Sequence, residues 1–104
     1  MTNSDQPLLQ SLVGGDPAAE AEAISSLATT SSVGVLVAGS VLTGAGAPLE
    51  RATALAVTAR DRQLVVLARA HLAGDVDLFD ALVRDHLASY PDHLLAAWIA
   101  TRTR

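Results

Sequence analysis

An all-α domain of stacked, antiparallel helical hairpins is what this 104-residue sequence predicts, on three observations. Ala, Leu and Val make up most of an apolar half, and Ala and Leu lead the helix-propensity scale. Apolar residues recur at i, i+3, i+4 and i+7 through the second half of the chain, which marks one face of a helix. Between those stripes stand Gly74 and Pro91, and links this short make successive helices double back as neighbours.

Residues 1–6 read as a polar tail, and residues 7–104 as one helical domain. Pro7–Val13 makes two turns of helix, stopped by Gly14-Gly15. Asp16-Pro17 starts the next helix, with a capping oxygen followed by proline at the first helical position. Glu20 and Glu22 sit near its positive end, Ile24, Leu27 and Ala28 form its stripe, and it frays into Thr29–Ser32. Val33–Thr43 is open to two readings. Its valines favour a strand, but no second convincing strand exists to pair with it, so a helix is expected. Gly34, Ala38 and Gly39 would then admit a neighbour closely. Thr43–Ala47 is a turn, and Pro48 and Glu50 open a helix lined by Leu49, Ala52, Ala56 and Ala59.

From Arg60 to Ala73, Leu64, Leu67, Ala68, His71 and Leu72 share a stripe that ends at Gly74 in the left-handed conformation. Asp75 caps the following helix, which carries Phe79, Leu82, Val83, His86, Leu87 and Tyr90 on one face and stops at Pro91. Asp92 caps a last helix with Leu95, Trp98 and Ile99 on a face, Leu94 beside them, and Arg102 and Arg104 at its negative end.

Composition narrows the function classes. A formal charge of −4 and a pI near 5.1 argue against an electrostatically driven nucleic-acid binder. A helix-turn-helix DNA regulator is a further alternative, but DVDLFDALVRDHL, the candidate recognition helix, is acidic. No charge falls between Glu22 and Glu50, yet only ten residues there are strongly apolar, against the roughly 20 that a bilayer span needs. A soluble helix is the expectation, with no membrane partner. The absence of cysteine excludes a disulfide scaffold and fits a reducing compartment. The N-terminal MTNSDQPLLQ shows neither a basic nor an apolar leader region, so a cytoplasmic location is expected.

Residues LVVLARAHLAGDVDLFDALVRDHLASYPDHLLAAWIA resemble bacterial tetratricopeptide-repeat proteins, in particular repeats reading A-H-L-x-x-G-D followed by L-x-x-x-P-x-D-x-L-A. Gly74 and Pro91 stand at the family's spacing of 17, and a new helix starts after Pro91 as a next repeat would. The likeness is best over residues 60–100 and leaves residues 1–31 outside. Phe79, Val83 and His86 stand where the family prefers alanine, an aromatic and alanine. The resemblance implies stacked αα-hairpins that hold a peptide or a partner domain. Such repeats hide their faces against one another, and about three are needed for stability.

A search for chemistry leaves little. There is no cysteine nucleophile, Ser40 lacks an elbow setting, and with no lysine the glycines around Gly39 make no phosphate loop. His71 and His86 lie on inward stripes and could approach, whereas Pro91 separates His86 from His93. Histidines hydrogen-bonded at the core edge are therefore expected rather than a metal centre, with a His71/His86 ligand- or metal-binding bundle or enzyme as the alternative. Asp75, Asp77, Asp80 and Asp85 read as caps and a solvated face, with Arg60, Arg62, Arg69 and Arg84 as possible ion-pair partners. No catalytic, cofactor or metal residue is assigned. The expected function is a non-enzymatic interaction module that binds a protein partner or itself, as a homo-oligomer with a dimer favoured. A mean hydropathy of +0.34 in so short a chain is the motive, because such chains bury only roughly 60–70% of their unfolded surface. Val33–Thr43 and Asp92–Arg102 are the expected interface helices, with Val35, Leu36, Leu94, Leu95, Trp98 and Ile99 as interaction candidates.

Overall fold

In a computed structural model, which describes residues 6–102, seven helices follow one another and no strand occurs among the described residues. They are α1 (Gln6–Val13), α2 (Pro17–Ser25), α3 (Val33–Thr43), α4 (Ala47–Leu55), α5 (Ala59–Ala73), α6 (Val76–Ser89) and α7 (Leu94–Thr101). The tail expected over residues 1–6 lies outside the described residues except for Gln6, which opens α1; Arg104 also lies outside them.

Local chemistry sets most boundaries. Asp16 accepts from the Ala18 amide at 2.9 Å, with Pro17 at the first helical position. Asp75 accepts from the Leu78 amide at 3.2 Å, and Gly74 ends α5 at φ 75°. The segment Val33–Thr43 is helical, capped by Ser32 at its start and by Gly44 at φ 75° at its end. A strand there would have left its backbone unpaired, whereas a helix satisfies the backbone within the segment.

α3 is the centre of the molecule. It packs against α2, α4, α5 and α7, and its residues from Val35 to Val41 are buried. Each helix packs against the next from α1 to α7, and α1 meets α7. Leu12, Leu36, Leu49, Leu64, Leu67, Phe79 and Ile99 fill the core around α3. At Gly39 a Cβ would stand 2.2 Å from Leu27 Cδ2, so glycine there lets the α2–α3 link close onto the helix. No helix among the described residues is long and apolar enough to cross a membrane.

Three expectations about the elements are corrected. The stripe of Ile24, Leu27 and Ala28 is not the buried face of α2, which is formed by Ala19 and Ala23. The Ser25 and Ser26 hydroxyls take the Glu22 and Ala23 carbonyls, the helix ends, and Ile24 faces solvent. The helix begun at Pro48 does not run to Ala59. It stops at Leu55, Ala56 is extended, and Thr58 caps α5 by accepting from the Asp61 amide. Asp92 does not cap α7. His93 occupies that position without a side-chain bond to the helix, because its ring is engaged elsewhere.

Candidate functional site

α6 and α7 are joined by Tyr90–His93, and this link folds two imidazoles onto each other. Pro91 ends α6 and turns the chain, so that His93, at the threshold of α7, comes back over the last turn of α6. His93 Nδ1 lies 2.6 Å from His86 Nε2, and His86 Nδ1 lies 2.8 Å from Gln63 Oε1 on α5. His86 is 1% exposed and His93 5%. The Tyr90 ring flanks His86 with centroids 5.0 Å apart.

One proton arrangement fits two neutral rings and the Gln63 carbonyl. His86 Nδ1–H donates to Gln63, and His93 Nδ1–H donates to His86 Nε2. His93 Nε2 then carries a free lone pair. His93 lines a cleft of about 630 Å³ whose walls also include Arg60, Asp61, Asp92 and the rim residues Leu55 and Leu94.

Burial is the main cause that holds all three described histidines below their ordinary range. For His93 the result is a pKa pushed down to about 4, with the Arg60 cation and His86 adding to the effect and Asp92 opposing it. For His86 the second cause is again Arg60, and for His71 it is Arg102. Three helix N-termini (of α3, α5 and α7) open on the cleft; those of α3 and α5 are capped by Ser32 and Thr58, and that of α7 has no side-chain cap.

The structure does not bring His71 and His86 together as a pair. The ring partner of His71 is Phe79, with centroids 5.4 Å apart, and His86 pairs with His93 instead. Among the described residues no group of three or more His, Cys, Asp or Glu side chains could hold a metal. The arginines do not pair with the acids of α6. The ion pair among the described residues is Arg69–Glu50 at 3.0 Å, and Arg69 also donates to Thr53 Oγ1. Of the six interaction candidates, Val35, Leu36, Leu95, Trp98 and Ile99 are core residues, and only Leu94, at 54%, faces solvent. Their helices are buried because α3 is enclosed by four neighbours and α7 packs on α1, α3 and α6. Arg102 stacks its guanidinium 4.9 Å above Trp98, covering the ring's outer face.

Of two features that the sequence reading missed, one carried no usable signal. Gln63 is a lone amide on a polar face. The break at Ala56–Thr58 was legible in principle, since Thr58-x-x-Asp61 has the spacing of a capping box. Comparison with protein families, with characterised proteins and with solved structures finds no match.

Proposed function

We propose that this chain is a non-enzymatic helical interaction module whose hairpins, α5 with α6 and then α7, stack in the manner of tetratricopeptide repeats. One observation carries the proposal: large aliphatic side chains remain on the outside of a chain that already has a filled core. Leu55, Val57 and Leu94 are 39%, 73% and 54% exposed, and Leu55 and Leu94 border the same cleft. Scattered exposed aliphatics are ordinary, but two on the rim of one concave surface, with an unpaired Arg60 and two aspartates inside it, suit a protein surface with a mixed apolar and charged face. The favoured occupant is a second copy of the chain, giving a homo-oligomer of which a dimer is the simplest form. Neither a nucleic acid nor a membrane is among the partners proposed, and the setting proposed is cytoplasmic.

Light scattering coupled to size-exclusion chromatography, from low to several hundred micromolar, tests this. The expected result is a concentration-dependent dimer that is lost in a Leu55→Ser/Leu94→Ser variant which retains its helical circular dichroism. A monomer across the whole range removes self-assembly.

A further inference from the structure

We propose that Gln63, His86 and His93 form an acid-sensitive latch that holds α7 against α6 and the core, and that the latch releases when both imidazoles carry a proton. The geometry supplies the mechanism. A gap of 2.6 Å between His86 Nε2 and His93 Nδ1 has room for one hydrogen. The first added proton can go to His93 Nε2 and leave that bond intact. The second converts both facing nitrogens into N–H donors, so the bond becomes a contact between two donors and two like charges.

The surroundings give little relief to that charge. Arg60, at the start of α5, adds a third cation. Asp92, on the α6–α7 link, is the one acid acting on His93, and it is exposed to water. Asp61 shares the cleft wall with His93, and the Tyr90 ring lies against His86. Neither α1 nor α3 carries a titratable side chain. His93 is also the cap position of α7 and follows Pro91, so loss of its bond to His86 frees the start of an eight-residue helix at a natural hinge. The face by which that helix docks is apolar. Its own Leu95, Trp98 and Ile99 are buried against the core, so release presents a hydrophobic face that is closed at neutral pH.

Trp98 is the sole tryptophan, which makes its emission a direct report on α7. The full chain is titrated from pH 8 to pH 3.5 while tryptophan emission, far-ultraviolet circular dichroism and peptide-level hydrogen exchange are followed. The expected result is a red shift of Trp98 emission, with faster exchange over residues 90–101, at a pH where peptides from α3 stay protected. In His93→Gln and in His86→Gln the red shift moves down by at least one pH unit, and in His71→Gln it stays in place. Loss of protection in α3 and α7 at one common pH overturns the proposal, and so does a wild-type midpoint in a folded His93→Gln variant. The hydrogen-exchange arm uses the unaltered chain, so the outcome does not depend on either variant folding.

Discussion

Replacing Gly39 by alanine tests the packing at the centre of the fold. In an exposed helix this change stabilises by about 1 kcal/mol, because glycine loses more backbone freedom on folding than alanine. Here the new Cβ would sit 2.2 Å from Leu27 Cδ2, 2.7 Å from Cδ1 and 2.8 Å from Cγ. Ordinary carbon contacts lie near 3.5–4 Å, so the whole isobutyl head of Leu27 must move by more than ~1 Å. Displacing a partly buried leucine forfeits about 1–1.5 kcal/mol of burial, and overpacking typically costs about 1–3 kcal/mol. The net expectation is destabilisation by about 1–3 kcal/mol, read from urea unfolding followed by Trp98 emission. Gly34, on the same helix, is the internal control. There a Cβ meets Leu9 Cδ1 at 3.0 Å and Leu95 Cδ2 at 3.6 Å, both ends of flexible side chains, so Gly34→Ala should lie within about 1 kcal/mol of the parent. In a Leu27→Ala background the obstacle is gone, and Gly39→Ala should then stabilise by about 1 kcal/mol. If Gly39→Ala matches Gly34→Ala in the parent, or keeps its sign in the Leu27→Ala background, the packing argument is wrong.

Ser40 is fully buried and its hydroxyl has no hydrogen-bond partner, so Ser40→Ala should raise stability by about 1 kcal/mol in the same urea assay. Arg51 on α4 donates to the carbonyls of Leu27 and Thr30, tying the α2–α3 link down, and Arg51→Ala should cost about 1–2 kcal/mol and speed hydrogen exchange over residues 26–32. Global stability should fall in acid. His93 holds its proton only below about 4 when folded, against 6.5 as an ordinary histidine, so below pH 6.5 the unfolded chain binds a proton that the folded one refuses. Its contribution is complete above pH 6.5 and shrinks as pH falls, by about 3 kcal/mol by pH 4 at 1.36 kcal/mol per pH unit. A urea midpoint unchanged between pH 7.5 and pH 4.5 would falsify this.

Helix identity and most helix ends were legible because the signals that set them are local. Asp16-Pro17, Gly44, Gly74 and Asp75 act through one or two backbone bonds within a few residues, and each does in the structure what its chemistry suggests. Which apolar face turns inward is not local. Ile24 has the stronger claim to burial by hydrophobicity, yet Ala19 and Ala23 face the core because small side chains let α2 lie close to its neighbours. The same limit applied to the proposed interface helices. Apolar content marks Val35, Leu36 and Trp98 as residues that avoid water, but only the arrangement of the other helices decides whether this chain or a partner provides the shelter.

The histidine pair was missed for a related reason. A spacing of seven places two residues on one face of a continuous helix, and Pro91 argues that the helix is not continuous. The structure keeps the proline break and still joins the rings, because the turn at Tyr90–Asp92 carries His93 back over the last turn of α6. A break in the helix re-aims the following residue, and the new direction depends on what the next helix packs against. For α7 that is set by α1, α3 and α6 together. The latch geometry therefore depends on the global fold, which gives it a mutational test of its own. Core substitutions that shift α7, such as Ile99→Val, should loosen the imidazole contact without touching either ring. In such a variant the Trp98 acid midpoint should rise, because a weakened helix dock needs less charge repulsion to release. An Ile99→Val midpoint at or below that of the parent would separate the two histidines from the docking of α7 and leave their contact without a mechanical role.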